Sequence, residues 1–216
     1  MTHSIWPFFD LRVTTPRLEL LPIDDVVGAE LAHLAARGVH DPAFMPFAFE
    51  WTDAGSPELE RNTMQFYWRT RAELRPDAWS LNFAVAVDGQ VVGSTGFITH
   101  HFPTTRVFET GSWLGLAYQG KGIGTEMRIA TLHLGFLGFG GRVATTTAFD
   151  DNAASQGVTR RLGYSENGAS WKQRRGLPAR SLHFEMTSDH FDAHVRRDDI
   201  SLHGVEACLP LLGLPQ

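Results

Sequence analysis

Gly115-Leu116-Ala117-Tyr118-Gln119-Gly120-Lys121-Gly122-Ile123-Gly124 is the stretch on which the reading of this chain turns. It lies between a β-rich segment and an amphipathic one, so it joins a strand to the start of a helix. Glycines let a backbone approach a ligand closely, and the N–H groups at a helix start face an anion with the helix dipole behind them. Three phosphate-binding patterns compete for it. Gly115 to Gly122 reads G-x-x-x-x-G-K-G, nearly a P-loop, but Gly122 stands where Ser or Thr would hold Mg²⁺. The dinucleotide pattern G-x-G-x-x-G fails because Gly124 comes one residue early. What remains is Q-x-x-G-x-G, carried by Gln119, Gly122 and Gly124. A plain glycine turn between strand and helix is the bland alternative.

On either side of this loop the order of elements is mixed. Arg17 to Pro22 predicts a short strand, and Asp24-Asp25 open a helix with Leu31 and Leu34 on one face. Ser56 before Pro57 predicts the cap of a second helix through about Leu74. Between the two helices, 41–55 reads as an ordered loop. Phe83, Val85 and Val87 alternate into an Asp88-Gly89 turn, and Val91-Val92 begin the return strand. A strand from Val107 to Leu116 leads into the glycine loop. The helix after it carries Ile123, Met127, Ala130, Leu134 and Leu137 on one face. Arg142 to Phe149 is β-rich. Asn152 to Leu162 is a short helix with Ala154, Val158 and Leu162 aligned, ended by Gly163, and Tyr164 starts a strand. Leu182, Phe184 and Met186 alternate in a last strand. One α+β domain around a central mixed sheet follows.

Composition narrows the setting. The chain has 216 residues, 43% hydrophobic and 20% charged, as a folded domain requires. A net charge of −5 gives no electrostatic reason to expect nucleic acid as a partner. The single cysteine, Cys208, has no internal disulfide partner, which points to a reducing cytoplasm. No apolar run is long enough to span a bilayer, and Met1 to Pro7 lacks the pattern of a signal peptide. The histidines, His100-His101 included, lack metal-ligand spacing, so no metal is expected.

Four segments in order resemble the GNAT superfamily, specifically the RimJ/RimL-type N-acyltransferases. Thr15-Pro16-Arg17-Leu18-Glu19-Leu20 looks like that group's opening strand, and Glu109-Thr110-Gly111-Ser112-Trp113-Leu114 like its central strand. Gln119 to Gly124 with Thr125-Glu126 looks like its coenzyme A loop. Asn152-x-x-Ser155, then Arg161-Leu162-Gly163-Tyr164, looks like its second signature, with Arg where lysine is common and Tyr where Phe is common. The resemblance runs from about Thr15 to Thr187. It implies a GNAT fold over 1–188, with a mostly antiparallel sheet splayed between two strands and flanked by helices. Residues 189–216 form a C-terminal extension, its apolar stretch around Cys208 docking on the domain or pairing with a second copy.

The resemblance also implies the chemistry, namely transfer of an acyl group from acyl-CoA to a primary amine without a metal. The pyrophosphate would sit on the N–H groups of Gln119, Gly120, Lys121, Gly122, Ile123, Gly124 and Thr125. Backbone groups of Leu114 and Leu116 would meet the pantetheine, and Arg161 or Arg160 the 3′-phosphate. Asn152 caps its helix or bonds a pantetheine amide, and Ser155 gives the leaving thiolate its proton. Glu109 would position a water as base. A lysine-like amine with pKa ~10.4 costs roughly 4.6 kcal/mol to deprotonate at pH 7, an α-amine near ~7.8 only about 1 kcal/mol. Acetyl is the superfamily's usual acyl group. Succinyl is allowed if the acyl end meets His40, Arg61, Arg69 or Arg71. The acceptor is a protein N-terminus or a small molecule. Phe44, Phe47, Phe49, Trp51, Phe66, Tyr67 and Trp68 come from the region that caps the acceptor site in that fold. The second function class is a CoA-binding or regulatory module that does not turn over.

Overall fold

The computed structural model describes residues 3–215; Met1, Thr2 and Gln216, at the two ends of the chain, lie outside it. Asp88 and Gly89 take left-handed φ angles of 50° and 77°. They turn β3 (Ala78–Val87) back on β4 (Gln90–His100) as an antiparallel hairpin. β4 pairs antiparallel with β5 (Val107–Leu114), and β5 pairs parallel with β6 (Val143–Phe149). On the far side of β6 lie β8 (Leu177–Thr187) and then β7 (Ser165–Arg174); on the far side of β3 lie β2 (Glu19–Pro22), β1 (Arg12–Thr14) and β9 (Ser201–His203). The result is a 9-stranded sheet in the order β7-β8-β6-β5-β4-β3-β2-β1-β9. This is the GNAT fold, a mixed and mostly antiparallel open sheet flanked by helices.

The parallel pair is short. β5 and β6 are in register only at Val107↔Val143, Phe108↔Ala144 and Glu109↔Thr145. Past that point β5 runs on to Leu114 and β6 to Phe149 without pairing with each other, so the sheet opens into a V.

The helices cover both faces. α1 (Asp25–Ala36) is capped by Asp24, whose carboxylate accepts the Val27 N–H at 2.8 Å. α2 (Glu58–Ala72) is not capped by Ser56 as the sequence suggests. Pro57 occupies the cap position without a side-chain bond, and the Ser56 hydroxyl donates to Glu60 instead. α1 and α2 pack on one face through Ile23, Leu31, Leu34, Tyr67 and Ala84. On the other face Phe97, Phe108, Phe136, Phe184 and Phe191 form the main core, together with the short α3 (Phe102–Thr105).

α4 (Ile123–His133) joins β5 to β6 and passes into a π-helical turn, Leu134–Gly138. The wider turn rotates Leu137 off the apolar face, and it is exposed rather than buried as its spacing predicts. α5 (Ala153–Arg161) keeps part of its expected apolar face, since Leu162 is buried and Val158 packs on the main core, but Ala154 is exposed and two polar side chains are buried beside them. It packs through Gln156, Thr159 and Leu162, with the Gln156 amide donating to the Phe149 and Asp150 carbonyls. Its small residues Ala153, Ala154 and Gly157 are left facing the V.

Two strands are shorter than the sequence suggests. β2 begins at Glu19, because Thr15 to Leu18 close a turn through Thr15 N–H to Leu18 C=O. β5 ends at Leu114, and Leu116 lies in a 3-10 turn. The C-terminal residues carry α6 (Ser188–His194), β9 and α7 (Val205–Cys208), and their apolar side chains Phe191, Cys208 and Leu212 are fully buried in the main core. Burial, with Asp10 and Glu206 nearby, pushes the Cys208 thiol up to about 12.

Candidate functional site

The glycine loop is built to leave donors free. Gly120 and Gly122 take φ angles of 72° and 79°, which side chains adopt only with strain. Among the described residues the N–H groups of Gly120, Lys121, Gly122, Ile123, Gly124 and Thr125 have no partner in the chain; the α4 ladder starts with Glu126 N–H to Gly122 C=O. The N–H of Gln119 donates to Leu116 at 3.3 Å, so the free run begins at Gly120 and not at Gln119. Gln119 serves as a clamp. Its side-chain amide donates to the Val39 carbonyl at 2.7 Å and the Leu114 carbonyl at 2.8 Å. Ile123 contributes its N–H only, its side chain being core. Lys121 is exposed over the Tyr118 ring and does not line the cleft.

The loop opens into a cleft of about 760 Å³ that occupies the V between β5 and β6. Along β5 the backbone alternates. Gly115 donates to the Val92 carbonyl, and Gly111, an even number of positions before it along the strand, stands opposite Gly96, both turned toward β4. Ser112 and Leu114 therefore turn their backbone groups into the V. The Leu114 carbonyl is held by Gln119, which leaves the Leu114 N–H and both groups of Ser112. Leu116 cannot serve through its backbone as its position in the sequence suggests. Its N–H donates to Gly38 at 3.1 Å and its carbonyl accepts from Gln119; only its side chain lines the cleft.

The opposite wall is α5. Asn152 caps it, with Oδ1 accepting the Ser155 N–H at 3.1 Å, and Ser155 lines the cleft. Of the two arginines, Arg161 lines the cleft, whereas Arg160 lies over Phe184 and faces Glu166 at 3.7 Å. Glu109 is the last residue of β5 in register with β6, at the apex of the V. The cleft begins at Thr110 and Gly111, so Glu109 does not line it, because the ladder is still closed where it stands.

The far mouth is lined by His40, Asp41, Phe44, Phe47 and Ala48 from the loop between α1 and α2. That loop is anchored by Phe47 against Trp51 and Trp51 against Trp113. It is also strapped to the tip of the β7–β8 hairpin. Arg174 grips Asp151 with two bonds of 2.8 and 2.7 Å and reaches the Met45 carbonyl. Arg175 grips Asp53, donates to the Pro42 carbonyl, and gives its N–H to Glu50. The hydrogen bonds from these arginines hold the Asp53 and Asp151 carboxyls below their ordinary values. His40 lines the cleft and bonds Thr52 at 2.6 Å. Arg61 and Arg69 are exposed and Arg71 pairs with Asp25, so none of the three reaches the cleft.

Two cations gain a position that motif reading does not reveal. Arg17 bonds Glu126 at 2.5 Å, Thr15 bonds the other carboxylate oxygen, and the guanidinium lies 3.5 Å from where a Gly122 side chain would begin. Burial alone would raise the Glu126 carboxyl, but the bonds from Thr15 and Arg17 outweigh it and hold it low. Arg128 lines the cleft from α4 with only 5% of its surface exposed. No group of three or more His, Cys, Asp or Glu side chains among the described residues is placed to hold a metal. Nor is any helix among them long and apolar enough to cross a membrane.

Residues 17–165 match the acetyltransferase (GNAT) domain family. Among solved structures, a RimL ribosomal L7/L12 alpha-N-protein acetyltransferase in complex with coenzyme A superposes with a TM-score of 0.69, at 18% identity over 82% of this chain and 97% of that one. Mycobacterium smegmatis RimJ in complex with CoA-disulfide gives 0.68, at 20% identity over 85% and 92%. A GNAT-family acetyltransferase from Bacillus anthracis gives 0.65, at 18% identity over 82% and 99%. At these identities the superpositions speak for the fold.

Proposed function

The chain belongs to the GNAT acetyltransferase family and is an N-acyltransferase; from that premise we propose that its cleft holds acyl-CoA and passes the acyl group to an α-amine by direct attack. The observation that carries this is the run of free N–H groups from Gly120 to Thr125, opening into the V. These donors, at the positive end of α4, suit a pyrophosphate, and Arg17 adds charge beside them. Ser112 and the Leu114 N–H offer a strand edge to the pantetheine amides. The free Asn152 Nδ2 and the Arg161 guanidinium, both on the α5 side, suit a pantetheine carbonyl and the 3′-phosphate.

The amine enters from the mouth lined by His40 and Phe47, on the face of the sheet opposite α4. Its lone pair forms the new C–N bond, the C–S bond breaks, Ser155 passes its hydroxyl proton to the departing thiolate, and the proton shed by the acylated nitrogen returns through water to the Ser155 oxygen. Among the described residues lining the cleft the carboxylate is Asp41, and its Oδ1 already holds the Ala43 N–H at 2.9 Å. A lysine-like amine would need strong help to lose its proton. An α-amine needs about 1 kcal/mol at pH 7, within reach of solvent water in the open cleft and without a carboxylate base, since Glu109 stands outside the lining. The RimL neighbour is described as an alpha-N-protein acetyltransferase, which favours a polypeptide N-terminus. Acetyl is the reference acyl group, and a reducing cytoplasm suits the buried, unpaired Cys208.

The test is release of free thiol from acetyl-CoA. A short peptide with a free N-terminus is expected to release it faster than the same peptide blocked there and bearing only lysine. Tight CoA binding with no thiol release from acetyl-CoA or succinyl-CoA on any amine would instead make this a non-catalytic CoA-binding module.

A further inference from the structure

Arg128 follows Gly124 by one turn of α4 and so lies on the same face, deeper in the V. A side chain on Gly124 would point toward Leu114 and Val158, both of which line the cleft. Arg128 thus reaches inward between β5 and α5, and it is nearly fully buried. Among the described residues no carboxylate pairs with it, and Nε and Nη1 have no hydrogen-bond partner at all. Its Nη2 makes one long contact, 3.4 Å to the Ser112 hydroxyl. Since Nε carries one hydrogen and Nη1 two, most of its donors are idle.

The surroundings are polar but neutral. Thr110 and Thr146 are buried in the cleft floor, with the Thr146 hydroxyl donating to the Thr110 carbonyl at 3.0 Å. The Tyr164 hydroxyl is buried beside Thr110 and Arg128 without a well-formed hydrogen bond, and burial raises it although the Arg128 charge pulls the other way. Hydroxyls can satisfy hydrogen bonds, but they do not neutralise a buried cation, which is costly when left unpaired. An acetyl group ends in a methyl and brings no negative charge to this floor.

The position along the donor decides what the cation meets. This step rests on the reading above, in which the pyrophosphate lies at Gly120–Thr125 and the pantetheine follows β5 inward. The group attached to sulfur then ends near Thr110, Ser112 and Thr146, where Arg128 waits. We propose that the preferred donor carries an acyl group ending in a carboxylate, the CoA monothioester of a short dicarboxylic acid, with Arg128 as its specificity-determining residue. A planar guanidinium matches a carboxylate in geometry as well as charge.

The experiment is calorimetric binding of succinyl-CoA, butyryl-CoA and free CoA to the full-length chain, with no amine present. Succinyl and butyryl have the same carbon count and differ in the terminal carboxylate. The expected result is succinyl-CoA binding roughly tenfold or more tightly than butyryl-CoA, the scale of a charge-assisted hydrogen bond. In Arg128→Met that ratio falls toward one, and in Arg128→Lys part of it returns. Equal or weaker binding of succinyl-CoA by the unaltered chain overturns the proposal while leaving the CoA site in place, and so does a ratio unchanged in Arg128→Met. Failure of free CoA to bind removes the parent reading and this one with it. The comparison on the unaltered chain stands even if a variant fails to fold.

Discussion

The two ends of α4 are both rich in glycine, and they use it for opposite purposes. At the N-terminal end, a side chain built on Gly120 meets nothing within 4 Å, and one on Gly124 meets only ordinary contacts at 3.8 Å. At the C-terminal end, a side chain on Gly135 would stand 2.4 Å from the Phe108 ring, and one on Gly141 2.5 Å from the same ring. The first set keeps space and N–H groups available for something outside the chain. The second set is filled by the chain itself, so that Phe108 can sit against the backbone and against Phe136. A run of glycines is therefore no sign of a ligand until the neighbouring space is known.

If this contrast holds, changes at the two regions separate catalysis from stability. The largest effect belongs to the cleft. Ser155→Ala is expected to lower kcat by about a hundredfold or more, the range for a positioned proton donor, with little change in KM for acyl-CoA. Steady-state thiol release measures it, and an unchanged kcat would remove Ser155 from the mechanism. The smaller effect belongs to the packed end. Gly135→Ala is expected to cost about 1–3 kcal/mol of stability by overpacking, while the protein keeps its melting shift with CoA. A variant that melted normally but no longer responded to CoA would dissolve the contrast.

The parts of the fold that could be read from sequence are those set by neighbours in the chain. Asp88-Gly89 gave away its hairpin because both residues tolerate left-handed angles, and Asp24 and Asn152 their caps because the acceptor sits three residues from its donor. The glycine loop was legible for the same reason. What stayed hidden depends on distant partners. β1 and β9 are three-residue strands from opposite ends of the chain that become strands only by pairing with each other and with β2. α5 buries Gln156 because the Phe149 and Asp150 carbonyls are there to receive its amide, and Thr159 because its hydroxyl donates back to the Ser155 carbonyl, so its apolar spacing shows only part of the buried face. In the site, Ser112 and Leu114 have backbone groups facing the cleft because of a V that no local pattern announces, and the Leu116 N–H is taken by Gly38. Arg128 looks like any solvated helix charge until α4 is laid against β5. The one available signal was its place a single turn after Gly124.

The central claim is that Gly120 to Thr125 receive the phosphates of CoA and that the glycines at the other end of α4 do not. Amide NMR of the ¹⁵N-labelled chain, titrated with CoA, tests it directly. The account predicts that the amides of Gly120, Gly122 and Gly124 shift strongly and gain protection from exchange, while those of Gly135 and Gly141 stay where they are. Large shifts at Gly135 and Gly141 with Gly120, Gly122 and Gly124 unmoved would contradict it.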